Sequence, residues 1–225
     1  MKMTNFINSI PTLKDRWELA QKRTETETQR IVARLGENNT ITSTFNAYGT
    51  INNDMLMSLN QYVSNTENKT LEVNVNSYGG DFVAGVGIYN TLRNDGRPVI
   101  TNNMGLAASA ASIIYLAGEE RNAFEQSTVM MHNARMITAG GAKQLRRDAD
   151  KMETIDKQIE EIVSNRTTIK REQMLEMFEN DTFVDAKDQV ELGITNTIIP
   201  TNKQFDNKTI RDEILAVMKE QYFKE

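Results

Sequence analysis

From Thr40 onward, the chain alternates between short stretches with a hydrophobic period of two and longer ones with a period near 3.6. "TITSTFNAYG" alternates and is rich in β-branched and aromatic residues, which predicts a strand. "NNDMLMSLNQYVSN" predicts a helix with Met55, Leu56, Leu59 and Val63 inward. "TLEVNVNS" is a second strand, ending at "YGGD". "FVAGVGIYNTLRNDG" returns to helical period, with Val83, Val86 and Leu92 near one side and Gly96 as the stop. "RPVITNNM" reads as a strand, "SAASIIYLAGE" as a buried helix, and "VMMH" as the end of a short buried strand.

The glycine-rich "NARMITAGGA" precedes the longest periodic segment, "KQLRRDADKMETIDKQIEEIVSNR". Leu145, Ala149, Met152, Ile155, Ile159 and Ile162 form one narrow apolar stripe on an otherwise charged helix, which suits contact with another helix or subunit better than deep burial. "TIKREQMLEMF" predicts a shorter helix. "DTFVDAKDQVELGI" predicts a strand, then a helix capped by Asp185 and stopped by Gly193. "TNTII" is a last strand and "TIRDEILAVMKEQYF" a final helix. Strands alternating with helices imply an α/β fold with largely parallel strands. Residues 1–40 read as a polar arm or loose helix, 41–200 as the main domain, and 201–225 as the terminal helix.

Composition narrows the chemistry. The 225 residues suit one α/β domain, and 39% hydrophobic residues are enough for a core. A net charge of -5 without a dense Lys/Arg run disfavours nucleic-acid binding. The absence of cysteine excludes disulfides, a thiol nucleophile and Cys-based zinc sites. No apolar run approaches the ~20 residues of a membrane span, and no leader opens the chain, so a cytoplasmic location is expected. With one histidine, His132, a two-histidine metal site cannot form within the chain, and no metal or cofactor is expected.

Three stretches sit at predicted strand ends, where α/β folds place sites. In "NSYGGD", Gly79 and Gly80 can turn backbone N–H groups toward a ligand, as an oxyanion hole requires, or form an ordinary turn. In "GLAASAASI", Ser109 stands at a predicted helix start among small residues. It can be a nucleophile with room beside it or a simple helix cap. It is not a G-x-S-x-G elbow. "VMMHNA" carries the sole imidazole. Asp181 is the candidate to orient it, and Asp185, better explained as a helix cap, is second.

From about Phe45 to Ile199 these motifs resemble the ClpP family of serine peptidases. "NVNSYGGDFVAGVGIYNTLR", "GLAASAAS", "VMMHNA" and "NDTFVDAKDQVELGITNTI" follow that family's order and spacing. The resemblance implies the ClpP/crotonase-like fold of stacked ββα units with a protruding handle over 134–166. It implies Ser109 as nucleophile, His132 as base, Asp181 as orienting acid, and the N–H groups of Gly80 and Ala110 as oxyanion donors. Gly79, Gly140 and Gly141 would contact extended substrate. It also implies a homo-oligomeric ring, a heptamer or double heptamer, acting on protein or peptide substrates. Tyr78 stands where the family has proline, Ala110 where methionine is common, and residues 1–44 show no axial-loop segment. "GLAASAAS" and "MMHNA" look closer to phage head maturation proteases, which would make capsid and scaffold precursors the substrates. A housekeeping-type subunit working with an ATPase unfoldase, a crotonase-type acyl-CoA enzyme, an inactive ring subunit and a Ser–Lys dyad through Lys143 are the alternatives.

Overall fold

The computed structural model describes residues 44–201. The arm over 1–40 and the helix over 209–223 lie outside them. The elements in chain order are β1 (Phe45–Ile51), α1 (Asn53–Asn65), β2 (Leu71–Gly80), α2 (Phe82–Asn94), β3 (Val99–Ala108), α3 (Ala110–Tyr115), β4 (Glu120–Phe124), β5 (Thr128–Met130), α4 (Ala142–Arg166), α5 (Arg171–Glu179), β6 (Phe183–Asp185), α6 (Ala186–Glu191) and β7 (Thr197–Ile199).

One sheet runs β1-β2-β3-β4-β7, all neighbours parallel. Strand β3 forks: residues 100–103 pair with β4, and residues 106–108 pair with β5. β6 then pairs antiparallel with β5. One sheet face packs under the helices through Val73, Val75, Ile88, Ile113, Ile114 and their buried neighbours. The other carries an asparagine ladder in strand register. Asn122 donates to Asn102 (3.0 Å), Asn102 to Asn74 (2.9 Å), and Asn74 to Asn46 (3.0 Å).

Helix starts follow their caps. The side chains of Asn52, Asp81 and Asp185 accept from the first turns of α1, α2 and α6, as Asp185 was expected to do. Gly193 adopts φ 67 just beyond α6.

Several expectations need correction. β2 continues through Gly79–Gly80 rather than ending before them, and β3 continues through Gly105–Ala108, so half of the small-residue stretch is strand. Gly105 faces the Asn76 side chain, and Asn76 accepts from the N–H of Leu106 at 3.2 Å. Val83 is 73% exposed, and α2 instead buries Ala84, Gly85, Ile88 and Leu92. On α4, Ile159 and Val163 are buried, whereas Leu145 and Ala149 are exposed. The N-terminal half of the helix is therefore largely exposed, with Asp148 its buried residue. β4 was not anticipated. Its "ERNAF" carries too few β-branched residues to read as a strand.

Arg121 on β4 explains how three helix ends converge. It is 6% exposed and donates to the carbonyls of Gly118 (2.9 Å), Ile194 (2.7 Å), Gly193 (3.1 Å) and Arg166 (3.3 Å). Arg166 itself donates to Leu116 (2.9 Å) and Gly118 (2.6 Å). These carbonyls lie at the C-terminal ends of α3, α4 and α6, where unpaired oxygens and the negative dipole end attract a cation. α3 stops at Tyr115, short of the expected Glu119, and the Leu116 and Gly118 carbonyls beyond it are taken by these two arginines. No helix among the described residues is long and apolar enough to cross a membrane. Arg121→Met strands several buried carbonyls and is expected to lower unfolding free energy on the order of 3 kcal/mol. Urea denaturation followed by circular dichroism measures this.

Candidate active site

The fork in β3 is what assembles the site. Parallel β5 is paired through Ala108 and Met130, so Ser109 and His132 emerge at the same end. Antiparallel β6 pairs Phe183 with Met130, so the residues just before β6, including Asp181, return to that end.

Ser109 sits at the junction of β3 and α3 with φ 55 and ψ -127. Its N–H donates to the Met130 carbonyl at 2.9 Å, and its own carbonyl accepts from the N–H and the hydroxyl of Ser112 (2.9 and 2.7 Å). Ser109 Oγ lies 2.7 Å from Nε2 of His132. With Nδ1 protonated, the hydroxyl donates to that ring nitrogen.

Asp181 also has positive φ, 48, and these two are the only non-glycine residues with it among the described residues. The cause at Asp181 is local. It follows the cap Asn180 of α5, and the N–H of Thr182 donates back to the Met177 carbonyl at 3.1 Å, the Schellman closure that normally favours glycine. An aspartate in that place puts a carboxylate beside the imidazole. Strained backbone of this kind tends to gather at functional sites.

The contact between the imidazole and the Asp181 carboxylate is incomplete. Asp181 Oδ1 is 3.4 Å from His132 Nδ1, and Nδ1 is buried with no hydrogen-bond partner. Both Asp181 oxygens instead accept from Nη2 of Arg135, each at 2.6 Å. Arg135 and, less strongly, His132 hold the Asp181 carboxyl below its ordinary range. His132 is pushed below 6.5, chiefly by burial and then by the Arg135 charge, against the opposing pull of Asp181 and Asp156.

The glycine turn is locked from both sides. Ser77, 3% exposed, donates to the Gly49 carbonyl and accepts from the Gly79 N–H at 2.9 Å. Asp81 N–H donates to the Ile51 carbonyl at 2.8 Å. A Cβ at Gly79, φ 101, would lie 2.7 Å from both Ala108 O and Ser109 Cβ. One at Gly80, φ 152, would lie 2.3 Å from Ile51 O.

A cavity of about 500 Å³ opens on this cluster. Gly80, Ser109, Ala110, His132 and Arg135 line it together with apolar Phe82, Val83, Ile113, Met152 and Ile155. The segment after His132 is irregular and pinned to α4 twice. Ala134 N–H donates to Asp156 at 2.7 Å, and Thr138 Oγ1 donates to Asp148 at 2.7 Å. Bonds from Gln144, Thr138 and Lys151 push the Asp148 carboxyl down to about 2. Gly140 and Gly141 lie at the start of α4 and do not line the cavity, nor does Lys143. Ser77 and Arg135 belong to the site but were not anticipated. No local pattern marks Arg135, which lies in an irregular segment.

A family model described as Clp protease matches residues 22–202. The chain belongs to the Clp protease family. The ATP-dependent Clp protease proteolytic subunit 2 of Streptomyces coelicolor is 32% identical over 162 residues, covering 71% of this chain and 74% of the relative. The subunit of the same name from Treponema denticola is 30% identical over 142 residues, covering 62% and 71%. The structure of the ClpP1 N165D mutant from Listeria monocytogenes matches with a TM-score of 0.60 at 24% identity, covering 71% of this chain and 92% of that one. The fold is therefore ClpP-like, and the family is one of serine peptidases. The relatives named here are proteolytic subunits, and none carries a head-maturation name.

Gly79→Ala is expected to abolish labelling of Ser109 by a fluorophosphonate while leaving the far-UV circular dichroism spectrum nearly unchanged. Mass spectrometry of the labelled protein checks this.

Proposed function

We propose that the chain is a serine endopeptidase in which Ser109, His132 and Asp181 form the catalytic triad. The observation that carries this reading is the 2.7 Å approach of Ser109 Oγ to the chain's single histidine, at a strained strand–helix junction inside a cavity. Ser109 Oγ adds to the substrate carbonyl carbon as its proton passes to His132 Nε2. The carbonyl electron pair moves to oxygen, where the N–H groups of Gly80 and Ala110 stabilise the oxyanion. The C–N bond then breaks, with the Nε2 proton going to the leaving amine. Water hydrolyses the acyl-enzyme by the same steps in reverse. Asp181 stabilises the imidazolium once it swings from Arg135 to Nδ1–H. The apolar cavity wall accepts a side chain next to the scissile bond.

The names of the relatives favour a proteolytic ring subunit that works with an ATPase unfoldase, so capsid and scaffold processing becomes the second reading. Exposed Ile137, Met136 and Leu145 on the handle support self-association into a heptamer or double heptamer. Gly79 would contact extended substrate. Gly140 and Gly141 retain that role only through the resemblance. Crotonase-type chemistry and a Ser–Lys dyad lose their support with the family assignment and the position of Lys143.

Ser109→Ala is expected to lower kcat/KM for a fluorogenic peptide by about 10³-fold or more, with folding retained. Equal activity in wild type and variant overturns the reading. The pH profile gives a second check. The base works only when neutral, so activity rises as pH climbs through the His132 value. Because that value is depressed, the acid limb of kcat/KM is expected to have its midpoint below 6.5.

A further inference from the structure

Arg135 is the one cationic side chain lining the nucleophile cavity. Its side chain is 65% exposed, and of its own three guanidinium nitrogens only Nη2 makes a hydrogen bond to a described residue. Arg135 lines the same cavity as Ser109, and its Nε and Nη1 make no hydrogen bond to a described residue. The other charged lining residue, Asp81, is occupied as the cap of α2, accepting from Ala84 N–H at 2.7 Å. The carboxylate that Arg135 holds stops 3.4 Å from His132 Nδ1, which has no hydrogen-bond partner.

From this geometry we infer that Arg135 is a specificity-determining and positioning residue: it receives an acidic side chain of the peptide substrate, and that exchange releases Asp181 to His132. Guanidinium binds carboxylate through two parallel N–H groups, and an incoming Glu or Asp can present both oxygens to the free side of the fork. The present Arg135–Asp181 contact uses one nitrogen for both oxygens, a poorer geometry, and lies at an exposed site where ion pairs hold weakly. An acidic substrate thus satisfies Arg135 and completes the triad in one event. A neutral substrate leaves Asp181 engaged elsewhere. The groups facing His132 are Arg135, Asp181 and Asp156, and the last is already bound to the Ala134 N–H.

This inference rests on the serine peptidase reading, so the test separates the two. Paired fluorogenic peptides differing only in Glu or Gln at each position flanking the scissile bond are compared in wild type, Arg135→Gln and Arg135→Lys. Wild type is expected to favour the Glu peptide at one position by about tenfold in kcat/KM, the scale of one charge-assisted pair. In Arg135→Gln that ratio falls to near one. Cleavage of the Gln peptide becomes faster, and the acid limb of its pH profile moves to higher pH because the charge that depresses His132 is gone. Arg135→Lys keeps part of the preference. A ratio near one in wild type, or the same ratio in Arg135→Gln, overturns the inference. So does an equal loss on both peptides, which marks Arg135 as a mere prop for Asp181. In each case fluorophosphonate labelling of Ser109 leaves the peptidase reading intact. Absence of that labelling in wild type removes both.

Discussion

At Gly79 an added methyl group would sit 2.7 Å from the Ala108 carbonyl oxygen and 2.7 Å from Ser109 Cβ; at Gly85 it would sit 3.1 Å from Ala110 Cβ. The end of β2 and the start of α2 thus press against the β3–α3 junction with no room for side chains between them. That approach is why the sequence there is glycine, alanine and serine. It accompanies the positive φ of Ser109 and sets the Gly79 backbone close against Ser109. A close backbone approach of this kind can be built only where Cβ atoms are missing or small. The polar contacts around it, Ser77 on Gly79 and Met130 on Ser109, hold what the packing permits.

The second layer is the strand order β3-β5-β6. Chain positions 109, 132 and 181 are far apart in sequence, and only the forked β3 and the antiparallel return of β6 bring them together. The site is therefore a property of topology, with Ser109 and His132 fixed by the parallel pairing and Asp181 by the Schellman turn that ends α5. Ser109 and His132 are in hydrogen-bond contact, whereas Asp181 stops 3.4 Å short of His132 Nδ1 with both its oxygens on Arg135. On the proposed reading, a short movement of the Asp181 side chain would complete the hydrogen bond that orients His132.

Much of this was legible in the sequence. The single histidine had to be the base if any imidazole was used, and the glycine pair and the small-residue stretch stood at strand ends. Helices with polar caps, such as the one opened by Asp185, were readable because a cap is a local signal. What escaped was what depends on tertiary context. β3 runs four residues further than its apolar pattern suggests, because glycine and alanine give no period. β4 hides in a sequence dominated by Arg121, whose burial is offset by carbonyls from three helix ends. Val83 looked like an inner residue and is exposed, since α2 turns its alanine–glycine face to α3. Arg135 sits in an irregular segment with no pattern at all, and its role depends on a partner 46 residues away.

On the proposed reading, Ser109 is an activated nucleophile facing an oxyanion pocket made by Gly80 and Ala110. A crystal structure of the protein after reaction with a peptidyl fluorophosphonate tests it most directly. The account predicts phosphorus bonded to Ser109 Oγ, with the phosphonyl oxygen within hydrogen-bonding distance of both backbone N–H groups. An unmodified Ser109, or an adduct whose oxygen points to solvent, would contradict it.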